Sequence, residues 1–143
     1  MRNYLIVANQ TLGGDALAAK VRRVLDDHGP CRFHIVVPAT RVPDALTWTS
    51  GTARALARGR LERAIARFES MGLEVTGEVA DESPVLAILD ALHKRNYNGI
   101  ILCTLPPGAS RWLKQDLPRR LGRRVPVAVT HLVASRELEL AAA

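Results

Sequence analysis

The chain has 143 residues, 48% hydrophobic and 24% charged, with 20 Lys and Arg against 14 Asp and Glu for a formal net charge of +6. That is the length of one domain with enough apolar residues to build a core, which excludes an intrinsically disordered chain. Aromatic residues make up only 4%, so the core has to be aliphatic. No apolar run approaches the roughly 18 residues of a membrane span, and the opening MRNYLIVANQ carries no signal pattern. A cytoplasmic protein without membrane association is therefore expected.

The first apolar run, Tyr4 to Ala8, reads as a buried strand. Asn9, Thr11, Gly13 and Gly14 follow as a loop, and Asp15 is the expected N-cap of a helix with Ala16, Leu17, Val21, Val24 and Leu25 on one face. Gly29-Pro30 ends that helix, and Phe33 to Val37 forms a second strand. The irregular segment from Ala39 to Gly51, with Pro43, Trp48 and Ser50, is expected to arch over the strand ends, Ser50 lying near the next helix start.

Leu56, Leu61, Ala64, Ile65, Phe68 and Met71 mark the buried side of a longer helix, with Arg54, Arg58, Arg63 and Arg67 mainly elsewhere on its circumference. Leu73 to Val79 is a weaker strand suited to a sheet edge. Asp81-Glu82 precede Ser83-Pro84, where serine caps and proline occupies the first helical position. The helix that follows has Val85, Leu86, Ile88, Leu89 and Leu92 as its expected stripe. Ile100 to Cys103 is the fourth strand. After Gly108, Ser110 to Gln115 makes a helical turn, Asp116-Leu117-Pro118 starts another helix ending near Gly122, and Val125 to Val133 is the fifth strand. This alternation predicts an α/β fold: a three-layer α/β/α sandwich around a five-stranded, mainly parallel sheet with right-handed crossovers. One domain over residues 1–134 and a short tail over 135–143 are expected.

In such a fold the loops after the first and fourth strands open on the carboxyl edge of the sheet, where ligands bind. Thr11 and Gly13 in the first loop and Thr104, Gly108, Ser110 and Arg111 in the fourth are the candidate contacts, with Arg111 suited to an anion. Enzyme signatures are missing: Gly13-Gly14-Asp15 is no P-loop, and no GxSxG elbow is present. His28, His34, His93 and His131 have no metal-ligand spacing, and Cys31 and Cys103 read as separate buried thiols. Trp48 and Trp112 are expected in the core, and His131 is expected to be structural. Arg119, Arg120, Arg123 and Arg124 cluster near the end, but no aromatic stacking or groove-reading motif accompanies them, so nucleic acid is not the favoured partner.

Gly108-Ala109-Ser110-Arg111-Trp112-Leu113 resembles the Gly-Leu-Ser-Arg-Leu-Leu segment of the universal stress protein family, and Pro126-Val127-Ala128-Val129 is similar to that family's last strand. The resemblance spans Tyr4 to Val133 and implies a strand order of 3-2-1-4-5, a stress-response role and a homodimer formed through the last strand. It implies ATP or AMP as the ligand, with Asn9, Thr11, Gly13, Thr104, Gly108, Ser110, Arg111 and Gln115 around it. ATP-binding members carry Gly-x-x-Gly, nine residues, then Gly-Ser or Gly-Thr. Here Cys103 stands at the first glycine, the second falls in Leu105-Pro106-Pro107, and Gln115-Asp116 replaces the final pair. Asn9 stands where members often have aspartate.

Glycine lets backbone amides approach a phosphate, proline removes an amide, and Asp116 is expected to cap the last helix in the phosphate's place. The expected function is thus a noncatalytic regulatory or binding protein with weak or absent ATP binding and no required cofactor. It would act on a small anionic ligand or a protein partner. An ATP- or AMP-binding protein with altered phosphate contacts and a basic nucleic-acid-associated module are the alternatives.

Overall fold

The computed structural model describes residues 1–39, 50–80 and 83–134. Its elements run β1 (Arg2–Val7), α1 (Asp15–His28), β2 (Cys31–Pro38), α2 (Ser50–Ser70), β3 (Glu74–Ala80), α3 (Pro84–Lys94), β4 (Gly99–Thr104), α4 (Arg111–Lys114), α5 (Leu117–Arg124) and β5 (Val129–Val133). The five strands form one sheet in the order β3-β2-β1-β4-β5, and every neighbouring pair is parallel. The three central strands read as apolar runs because helices cover both of their faces.

Successive side chains of a strand point to opposite faces, and the core divides accordingly. Ile6, Phe33, Ile35 and Val37 pack with Leu17 and Val21 of α1 and Leu61 and Phe68 of α2. Leu5, Val7, Val36, Ile100 and Leu102 pack on the other face with Val85 and Ile88 of α3, Trp112 of α4, and Leu117 and Leu121 of α5. Trp112 is therefore a core residue; Trp48 lies outside the described residues, as do residues 40–49, Asp81, Glu82 and the tail from 135.

Several local expectations are corrected by the packing. Asp15 is the first residue of α1, and Gly14 occupies the N-cap without a side-chain bond. Leu56 of α2 and Leu86 of α3 are 41% and 62% exposed, whereas Ala53, Ala57, Ala64, Ala87 and Ala91 are buried. Small residues let both helices lie close to the sheet, and the larger leucines are displaced from the contact. Gly77 marks the closest approach: a Cβ there would stand 2.5 Å from Leu61 Cδ1 and 3.2 Å from the Ile35 carbonyl oxygen. Ser83 does cap α3, its hydroxyl accepting from the Leu86 amide at 3.3 Å. α5 continues past Gly122 to Arg124, so β5 begins only at Val129.

Candidate functional site

The loops after β1 and β4 meet at the point where the chain's crossovers change direction, the position at which α/β sheets open a crevice. Asn9, Thr11, Thr104 and Ser110 are buried there, at 8%, 5%, 1% and 3% exposure. A buried polar side chain needs a partner, and each of the four has one within the protein. Asn9 Nδ2 donates to the Pro38 carbonyl at 2.7 Å while its Oδ1 accepts from Arg60 at 2.6 Å. The Thr11 hydroxyl donates to the Cys103 carbonyl at 3.2 Å, tying the first loop to the end of β4. Thr104 Oγ1 and His131 Nε2 are 2.8 Å apart, and Ser110 Oγ accepts from the Leu113 amide at 3.1 Å as the cap of α4.

Backbone amides in both loops are engaged as well. In the first loop the Leu12 amide donates to the Asn9 carbonyl and the Gly14 amide to the Thr11 carbonyl. In the fourth, Pro106 and Pro107 have no amide hydrogen, and the amides of Ala109 and Ser110 both donate to the Pro106 carbonyl at 3.1 Å. Gly108 is exposed with φ +93°, the left-handed conformation that closes this turn. A phosphate cradle needs amides that point outward and unpaired, and these point into their own turns.

Asp116 differs from its expected role. It occupies the N-cap position of α5, but in the left-handed conformation (φ 56°, ψ 39°), and its carboxylate makes no cap bond. The left-handed backbone turns the chain between α4 and α5, and the Asp116 carbonyl, not the carboxylate, receives the Arg120 amide at 3.0 Å. Asp116 therefore does not replace a phosphate by capping. Gln115 is exposed, and its carbonyl accepts from Arg120. Arg111 opens α4, while its side chain lies outside the described residues. The carbonyl of Gly13 accepts from Arg67 at 2.9 Å.

Arg60 and Arg67 of α2 thus hold the first loop from above, and their roles differ. Arg67 also meets the Asp15 carboxylate at 2.7 Å. Arg60 meets only the neutral Asn9 amide, and both burial and the neighbouring Arg63 disfavour its charge. Sequence reading grouped the α2 arginines as a solvated face and did not single out Arg60. Its position three residues after Ala57 and one before Leu61 was the available signal, since that register borders the buried stripe.

Among the described residues no cluster of titratable side chains forms a competing centre at this edge. Burial raises the pKa of the Cys103 thiol, with the Thr11 hydrogen bond opposing it, so the thiol stays protonated. Both cysteines are free and buried. Among the described residues no group of three His, Cys, Asp or Glu side chains is placed to hold a metal, and no helix is long and apolar enough to cross a membrane. An open groove of about 680 Å³ lies elsewhere, between β3 and α3, lined in part by Glu78, Leu86, Asp90 and His93. None of the sequence-predicted site residues borders it.

No protein-family model and no curated protein matches the sequence. Solved structures do match the fold. A universal stress protein family member from Burkholderia pseudomallei aligns over 91% of this chain and 94% of its own, with TM-score 0.60 and 17% identity. One from Arabidopsis thaliana, solved with AMP bound, aligns over 96% and 94% with TM-score 0.65 and 5% identity. A universal stress protein in complex with cAMP aligns over 94% and 98% with TM-score 0.53 and 14% identity. The chain accordingly has a universal stress protein-like fold, the five-stranded parallel sheet in the order 3-2-1-4-5 that the resemblance implied.

Proposed function

We propose that this chain, over residues 1–134, is a noncatalytic binding or regulatory domain of the universal stress protein type whose affinity for ATP is weak or absent. The observation that carries this reading is the engagement of the Ala109 and Ser110 amides by the Pro106 carbonyl, beside two prolines that have no amide hydrogen to offer. A triphosphate would have to break those bonds to gain its own, and net exchange of one hydrogen bond for another contributes little. The side chains of Thr11, Thr104 and Ser110 are held in the same way. Its action then runs through a smaller ligand or a protein partner, in a stress response of the cytoplasm, where two free cysteines persist as thiols. Calorimetric titration with ATP, ADP and AMP tests this: no saturable heat at submicromolar concentration is expected, and submicromolar 1:1 binding of any of them overturns it.

AMP binding is the second reading, and similarity to one structure with AMP and another with cAMP favours it. A monophosphate demands fewer amides than a triphosphate. Assembly is proposed through β5, which forms one edge of the sheet and presents exposed Thr130, His131 and Val133. An unpaired strand edge is a template for a second copy. Sedimentation should show a dimer that Val133→Pro, at a position whose amide faces away from β4, converts to monomer; a wild-type monomer at micromolar concentration would contradict this assembly.

A further inference from the structure

We propose that Arg60 and Asn9 form a site for one small oxyanion, a phosphate or carboxylate group, at the carboxyl edge between β1 and β2. This names a ligand chemistry for the β2 side of that carboxyl edge, next to the crevice between the β1 and β4 loops, and rests on the reading of the edge as a binding site. Arg60 reaches from α2 to Asn9, which is anchored in turn to the Pro38 carbonyl at the end of β2, so the guanidinium is fixed in place by a chain of two hydrogen bonds of 2.6 and 2.7 Å. A guanidinium has five N–H donors and remains charged in proteins. One donor is used by Asn9.

Among the described residues no carboxylate pairs with Arg60, whereas Arg67, about two helical turns further along α2, has Asp15. Arg63 adds a second positive charge nearby. A partly buried cation with a neutral neighbour and a like-charged one is unfavourable until an anion neutralises it. Planar, forked donors suit two oxygens of one phosphate or carboxylate, and charge-assisted bonds of that kind are the strong ones. The amides of Leu12, Gly14, Ala109 and Ser110 are already engaged, so recognition beside Asn9 falls to the Arg60 side chain.

The test uses the full chain with inorganic phosphate and, in parallel, acetate as probes, followed by calorimetry and thermal melting. Wild type should bind at least one probe saturably at 1:1. Arg60→Gln should weaken that binding about tenfold or more. Asn9→Asp keeps the guanidinium but supplies an internal carboxylate, so it should lose the anion to the same degree; because it also gives up the donor to the Pro38 carbonyl, its fold is verified by circular dichroism before titration. Arg123→Gln removes an equal charge from exposed α5 and should leave binding unchanged. Loss with phosphate alone identifies a phosphate group, and loss with acetate as well identifies any small oxyanion. A wild type that binds neither probe overturns the proposal, as does folded Asn9→Asp that binds as wild type does. Tight ATP binding that survives Asn9→Asp would overturn the functional reading above instead.

Discussion

Thr104 Oγ1 and His131 Nε2 stand 2.8 Å apart, a side-chain bond between β4 and β5 added to their parallel backbone ladder. Thr104 is 1% exposed, and its carbonyl also receives the Ala134 amide at 2.9 Å. One residue therefore holds the last strand at its carboxyl end from both sides. Thr104→Val keeps the shape and removes the hydroxyl, so it should cost about 1 kcal/mol of stability. Amide exchange at Ala134 should accelerate along with it. Unchanged exchange there would show that the backbone ladder alone secures β5.

His34 supplies a pH dependence. Its Nδ1 lies 2.7 Å from Thr76 Oγ1 and its Nε2 lies 3.6 Å from Glu78, both on β3. Burial lowers its pKa, Glu78 raises it in part, and Arg95 and Lys94 lower it again, leaving it below the ordinary histidine value. The unfolded chain then binds the proton more readily than the folded one. Stability from neutral His34 is present above the ordinary pKa of about 6.5 and is lost as pH falls through the lower folded value. Burial lowers His131 in the same direction. Urea midpoints measured from about pH 7 to pH 5 should fall, and His34→Gln should flatten the slope.

Gly77 is where α2 presses on the edge strand, since an added Cβ would meet Leu61 and the Ile35 carbonyl. Leu61 can shift, but the β2 backbone is held by pairing on both sides. Gly77→Ala should destabilise by about 1–3 kcal/mol through overpacking, read as a lower denaturant midpoint with unchanged m-value. A wild-type midpoint would mean that α2 lifts from β3 without cost.

The strands and their parallel pairing were legible because strands buried on both faces must be continuously apolar, as in Leu5–Val7 and Ile100–Cys103. Ser83-Pro84 was legible because capping is local chemistry. The helix faces were legible in most of their residues, Leu17, Val21, Leu61, Phe68, Val85 and Ile88 being buried, but not in all. Leu56 and Leu86 look like core residues yet are exposed, and Ala53, Ala57, Ala87 and Ala91 are buried instead, because only tertiary proximity favours small side chains. Asp116 fails for a different reason, since a cap bond depends on backbone φ as well as residue type. The loops after β1 and β4 do meet at one sheet edge, but the hydrogen-bond partners of Asn9, Thr11 and Thr104 came from distant segments: Arg60, Pro38, Cys103 and His131. Which of several α2 arginines curls back over β1 is decided by helix placement that one sequence does not reveal.

Backbone-amide NMR during ATP addition tests the commitment of the crevice most directly, because it reports the loop amides one by one. With ATP added in excess, the resonances of Thr104, Leu105, Gly108, Ala109 and Ser110 should stay at their free positions. Saturating shifts at Ala109 and Ser110 would show that their bonds to Pro106 yield to a nucleotide, and would contradict the account.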